Sequence, residues 1–321
     1  MDEFRLAILA PQTAKGDHIA LHTSLTQAVA WLGQAWRLTK PADADFIFML
    51  AASTKSLTTL QTLQRSYPID KLIVASSIPI DMPQIKWHLA FSKQQNCPTI
   101  LAIVNLLSRI QEHFLGLKPS GNDSFFEPTQ HLAGLIGQCQ QDGIARVCTL
   151  DNTSKIILNP KESTYYFSGD WEQLIPLVLA DIKAIKVSEA SENELADETE
   201  SINFGSRLSE YANFGDVEIL PKMGVRESPK GNLQDLLWFS TLVAARGRTL
   251  NAYSASDKMI LKTMPDILQL DYFSHEYQNL AALLIAKPIS IIDAGTITGH
   301  SVFSTINFCN AGMMLKIIET I

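Results

Sequence analysis

Charge is scarce in this chain: 26 Lys and Arg and 33 Asp and Glu make up 18% of its 321 residues, against about 25% in a typical globular protein. The net charge is −7, so no surplus of bases exists to gather polyanions non-specifically. Cysteine is rarer still, with only Cys97, Cys139, Cys148 and Cys309. None forms a CxxC pair, and no histidine stands at ligand spacing beside them. That argues against a disulfide framework or a zinc site and leaves buried, reduced thiols. Long apolar runs are missing too. Leu280–Ala286 and Leu101–Leu107, the latter interrupted by Asn105, fall far short of the roughly 18 residues that span a bilayer. The amino terminus is acidic, and its apolar run, Leu6–Ala10, is shorter than the about 7–15 residues of a secretory signal. The expectation is a cytoplasmic protein without membrane insertion.

Several chemical motifs are absent. No GxxxxGK[ST] occurs, and Lys15-Gly16-Asp17 lacks the preceding glycine and following hydroxyl of a phosphate loop. No GxGxxG follows Leu9, and no GxSxG marks a hydrolase elbow. The seven histidines are dispersed; His18 and His22 share a helix face at i, i+4 but have no third ligand. The sequence therefore nominates no catalytic residue, no metal and no cofactor.

What is present is ample core-forming material, 46% hydrophobic, in a length that suggests two or three domains. Arg5–Leu9, Ala44–Leu50, Lys71–Ser76 and Lys86–Phe91 read as apolar strands, with a weaker strand between Trp36 and Pro41. Helical patterns fall at His18–Gln34, Ser53–Ser66 and Thr99–Phe114. Continuous apolar strands separated by helices imply a doubly wound parallel sheet of flavodoxin-like kind. This α/β domain spans residues 1–116, and Leu117–Ser124 reads as a linker. A mixed α+β domain over 125–262 follows. Its helices are Pro128–Gln141, Asp170–Ile185 and Asn232–Ala245; its strands are Ile144–Leu150, Lys155–Leu158, Thr164–Phe167 and the short Met259–Lys262. Residues 188–201 carry six acids and no base, which reads as a solvated loop. The last module, 263–321, offers helices at His275–Ala286, Ser290–Thr296 and His300–Leu315.

The order of elements in the first domain resembles the receiver domain of response regulators. Ser76 follows the third clear strand and Lys93 the fourth, matching by order and type the hydroxyl and lysine of that family. The acids do not match. The first strand runs into Ala10-Pro11-Gln12, and the Asp45 strand ends Leu50-Ala51-Ala52, with no aspartate at the phosphoacceptor place. Phosphoryl transfer to aspartate needs carboxylates both as nucleophile and to hold Mg²⁺. The resemblance thus implies a pseudo-receiver, a docking surface in which Ser76 and Lys93 hold at most a small anion.

The final module resembles a winged helix, with His300–Leu315 in the place of a recognition helix and Lys316–Ile318 where a wing would begin. From Met264 onward, however, only Lys287 and Lys316 stand against five acids, and the recognition-type helix has no Lys or Arg. Its expected exposed face is Ser301, Ser304, Thr305 and Asn307. Such a surface has few bases with which to neutralise phosphates, which argues against DNA and for protein partners, including a second copy of the chain. One basic spot remains. Arg246-Gly247-Arg248 ends the Asn232–Ala245 helix, where cations complement the helix dipole and Gly247 suits the C′ position; the alternative is an anion or nucleotide contact. The expected function is a non-catalytic regulatory or scaffold protein. The alternatives are a small-anion or nucleotide binder or enzyme using an inter-domain cleft, and a transcription regulator.

Overall fold

The computed structural model describes residues 3–9, 15–51, 54–80, 84–91, 97–116, 125–150, 154–167, 171–191, 230–250, 253–269 and 271–321. It is a mixed α/β structure. The first sheet is built from β1 (Phe4–Leu9), β2 (Trp36–Leu38), β3 (Phe46–Ala51), β4 (Leu72–Ser76) and β5 (Trp87–Ala90), in the order β2-β1-β3-β4-β5. All its pairings are parallel. The weak Trp36–Pro41 segment is therefore a real edge strand. Three helices belong to this part: α1 (Lys15–Leu32), α2 (Thr54–Ser66) and α3 (Ile100–Leu115).

Alternation along β3 explains why the strand reads as uniformly apolar. Phe46, Phe48 and Leu50 join the cluster that holds Leu21 and Leu25 of α1 and Ile103 and Leu107 of α3. Ile47, Met49 and Ala51 join the cluster that holds Leu60 of α2. Both pleats are buried, so every residue is apolar, as a parallel sheet requires.

The second sheet is antiparallel, in the order β10-β8-β7-β6-β9: β6 (Arg146–Leu150), β7 (Ser154–Asn159), β8 (Thr164–Tyr166), β9 (Lys186–Glu189) and β10 (Lys230–Asn232). The meander β6-β7-β8 follows the sequence pattern. Cys148, Ile156, Leu158 and Tyr165 share a core with helices α4 (Leu132–Asp142), α5 (Trp171–Leu179) and α6 (Leu233–Ala244). Two expectations change here. The Asp170–Ile185 helix stops at Leu179, because the Asp181 side chain accepts the Lys183 amide and opens a separate 3₁₀ turn, Ile182–Ala184. The chain must turn there to bring Lys186–Glu189 alongside β6. Ser188 and Glu189, expected in a loop, are consequently strand residues; residues 192–201 of the acidic run lie outside the described residues, as does the linker 117–124.

The third sheet is β12-β11-β13, with β11 (Lys258–Leu261), β12 (Ile289–Ser290) and β13 (Ile318–Thr320), both pairings antiparallel. The Met259 strand is thus the central strand of the carboxy-terminal part, and Ile318 pairs with Leu261. Around it lie α7 (Asp271–Ala286), α8 (Ile291–Thr298) and α9 (Val302–Met314). One continuous buried cluster runs from Leu6 of β1 through Ile103 and Leu236 to Phe308 and Ile318. Among the described residues, no helix is long and apolar enough to cross a membrane.

Candidate functional site

Helices α3 and α9 meet through a set of polar contacts at the amino end of α9. Helix α9 was expected to show a polar face to solvent. It does not: Ser301, Ser304, Thr305 and Asn307 are each at most 1% exposed, and Asn310 is fully buried. From Ser304 to Gly312 every residue of the helix is buried. The polarity that suggested a surface is spent inside, which is how buried polar side chains become tolerable.

The amino end of α9 is capped largely from α3. The first turn of any helix leaves four backbone N–H groups without partners. Here Ser301 is the N-cap, its Oγ accepting from the Ser304 amide at 2.9 Å. Ser108 Oγ lies 2.6 Å from that same oxygen, Asn105 Oδ1 accepts the Ser301 amide at 3.0 Å, and Glu112 Oε1 accepts the Phe303 amide at 3.2 Å. Asn105, Ser108 and Glu112 stand at i, i+3 and i+7, a single stripe of α3. A carboxylate at a helix amino terminus also meets the positive end of its dipole. Burial nevertheless dominates: desolvation pushes Glu112 up from 4.5 to about 7, against the pull of the Phe303 and Val302 amides and the Arg109 charge.

A second titratable group sits close by on α7. Burial alone pushes Glu276 up from 4.5 to about 7. Its backbone carbonyl is the partner of His300 Nε2, while His300 Nδ1 lies 2.8 Å from Thr298 Oγ1. The His300 ring stacks on Tyr277, with centroids 5.6 Å apart and planes at 14°. Burial lowers the His300 pKa. Among the described residues no cluster of three His, Cys, Asp or Glu could hold a metal ion.

The buried face of α9 holds Gly247, Arg248, Leu250 and Tyr253. Asn307 Oδ1 accepts the Gly247 amide at 2.7 Å; Asn310 Oδ1 accepts from the Leu250 amide at 3.1 Å and from the Tyr253 hydroxyl, and Asn310 Nδ2 donates to the Arg248 carbonyl at 2.7 Å. Arg246 itself takes a left-handed conformation, φ 50°, so the chain reverses one residue before the expected Gly247, φ 72°. A side chain on Gly247 would also strike the Phe303 ring, 2.5 Å away. Arg248 donates from Nε to the Ala245 carbonyl and from Nη2 to that of Ala244, both at 3.2 Å, and its guanidinium lies 5.8 Å from the Phe126 ring centroid. The guanidinium thus caps α6. Burial lowers the pKa of both arginines.

Ser76 ends β4, 2% exposed, at the carboxyl edge of the parallel sheet. Its hydroxyl donates to the Ile78 carbonyl at 2.8 Å and lies 2.8 Å from His88 Nε2 on β5. With the serine proton given to the carbonyl, His88 Nε2 is the donor of the second bond, so the pair is the reverse of an activated nucleophile. Lys93 lies outside the described residues. His18 and His22 are exposed on α1.

No family model, no curated protein and no solved structure matches this chain. The site is therefore read from its own chemistry. Sequence reasoning missed Asn105, Ser108 and Glu112 because helix α3 looks like ordinary core. The one available signal was the i, i+3, i+7 spacing of Asn105, Ser108 and Glu112, and Arg109, Gln111 and His113 in the same helix obscure it.

Proposed function

We propose that this chain is a non-catalytic regulatory or scaffold protein of bacterial signalling type, whose receiver-like amino-terminal domain takes no phosphoryl group and serves protein–protein contacts. The observation that carries the reading is Ala51. It closes β3 at the place where a receiver keeps its phosphorylatable aspartate, and it is fully buried. The strand order β2-β1-β3-β4-β5 is the flavodoxin-like order on which receivers are built. Ser76, in the place of the family hydroxyl, is engaged with Ile78 and His88. The domain departs from the family between β2 and β3, where only a 3₁₀ turn, Pro41–Asp43, makes the connection. The carboxy-terminal part, with its three-stranded sheet beside three helices, is read as a winged-helix-like module adapted to protein partners, a second copy among them. Its recognition-type helix is clamped between α3 and α6 instead of facing outward.

Incubation with acetyl phosphate, or with beryllofluoride and Mg²⁺, tests the reading. Neither a covalent adduct nor a Mg²⁺-dependent thermal shift is expected. A stoichiometric adduct would overturn it. Capture of partners from the native cell, compared between the wild type and variants on the exposed surface of the first domain, then identifies what docks.

A further inference from the structure

The amino edge of the parallel sheet carries a cleft of about 590 Å³ lined by Glu3, Phe4, Arg5, Arg37, Asp45, Phe46, Lys71 and Phe114. We propose that this cleft is a binding site for a small carboxylate carried on a planar apolar body.

Three features of the cleft support this. The first is charge. In a chain of net charge −7, this cleft gathers three cations against two carboxylates. Arg5 and Arg37 stand directly opposite each other on neighbouring strands, an arrangement that is unfavourable between like charges. Glu3 and Asp45 offset it: Arg37 Nε meets Glu3 at 3.0 Å, and Arg5 grips Asp45 through Nε at 3.0 Å, Nη2 at 2.9 Å and its own amide at 2.9 Å. The Arg5 hydrogen bonds hold the Asp45 carboxyl below its usual range. Lys71 is the third cation, and its charge helps to hold Asp45 ionised. Its ammonium has no hydrogen bond or ion pair among the described residues.

The second feature is the apolar wall. Phe4, Phe46 and Phe114 pack edge to face, with centroids 5.4–6.4 Å apart. Phe114, at the end of α3, remains 39% exposed, so an aromatic surface stays open beside the cation. The third is rigidity. The back of the cleft stands on β1, β2 and β3 and on the bidentate Arg5–Asp45 pair, so that binding leaves chiefly Lys71 and Phe114 to be ordered. The volume falls within the roughly 300–1,000 Å³ of small-molecule sites. A ring laid on Phe114 and Phe4 with its carboxylate toward Lys71 uses all three. Phosphate, having no apolar body, uses only the first.

The test is titration of the full chain with benzoate, benzamide and inorganic phosphate, followed by ligand-observed NMR and calorimetry. Benzoate is expected to saturate with a Kd of about 1 mM or tighter. Benzamide and phosphate should bind at least roughly tenfold more weakly. Lys71→Gln, at a half-buried position, should weaken benzoate by about fivefold or more while leaving the urea midpoint unchanged; Phe114→Ser should weaken it as much and, having given up the edge-to-face contacts with Phe4 and Phe46, lower the midpoint as well. The proposal fails if benzoate does not saturate. It fails equally if benzamide or phosphate binds as well as benzoate, or if benzoate binding survives both substitutions. Because the cleft lies at the opposite edge of the sheet from Ala51 and Ser76, failure here leaves the proposed function standing, and the reverse also holds.

Discussion

Replacing Glu112 by glutamine should make the protein more stable at alkaline pH and leave it unchanged at acid pH. The carboxyl group caps the first turn of α9 from α3, and burial raises its pKa from 4.5 to about 7 in the folded protein. For an acid whose folded pKa lies above its unfolded one, the native state holds the proton more tightly. The associated stability is complete below pH 4.5 and is lost as pH rises through about 7. A displacement of that size corresponds to roughly 3 kcal/mol at most. Partial solvent access and the lost attraction between carboxylate and helix dipole, about 0.3–1 kcal/mol, reduce it. Glutamine keeps an acceptor for the Phe303 amide and carries no charge to desolvate. Urea denaturation followed by tryptophan fluorescence should therefore show Glu112→Gln about 1–3 kcal/mol more stable than wild type near pH 8, and within about 0.5 kcal/mol near pH 4. Glu276 acts in the same direction, and His300, lowered by burial, opposes both below its ordinary 6.5. Both remain in the variant, so the difference between the two curves belongs to Glu112. Parallel curves, or a variant destabilised equally at both ends, would refute the argument.

Asn310→Leu, similar in branching but larger and without polar atoms, should cost about 3 kcal/mol in urea denaturation, since it strands the buried Tyr253 hydroxyl together with the part-buried Leu250 amide and Arg248 carbonyl; a loss below about 1 kcal/mol would show that the network carries little. Gly134→Ala should cost about 1–3 kcal/mol, because the added carbon would fall 2.5 Å from Thr129 Cα and 2.6 Å from the Pro128 carbonyl oxygen, both backbone atoms that cannot swing aside. A midpoint equal to wild type would mean that the turn before α4 shifts freely.

The inner strands β3 and β4 were legible because both of their faces are buried, so that hydrophobicity alone marks them. Helix α9 misled for the converse reason. Ser301, Ser304, Thr305 and Asn307 are residue types usually found at the surface, and one chain read in order does not say that Asn105, Ser108 and the Gly247 amide wait to receive them. The short strands β9, β10, β12 and β13 carry too few residues for a period to show. They exist because each finds a partner already in place.

Taken alone, the sequence determined what is absent: the carboxylates of a phosphoacceptor site, a phosphate loop, a zinc-type cysteine pattern and any basic face on α9. These are statements about residue types, and residue types do not depend on folding. It also determined the parallel sheet, since local periodicity and burial on two faces leave a direct trace. The tertiary structure decided which polar groups meet. Only folding brings Glu112 to the amino end of α9, 191 positions away, and sets Arg5 opposite Arg37 with Lys71 and Phe114 around one cleft. Hydrogen bonds and pKa shifts depend on distance and desolvation, which no local pattern encodes.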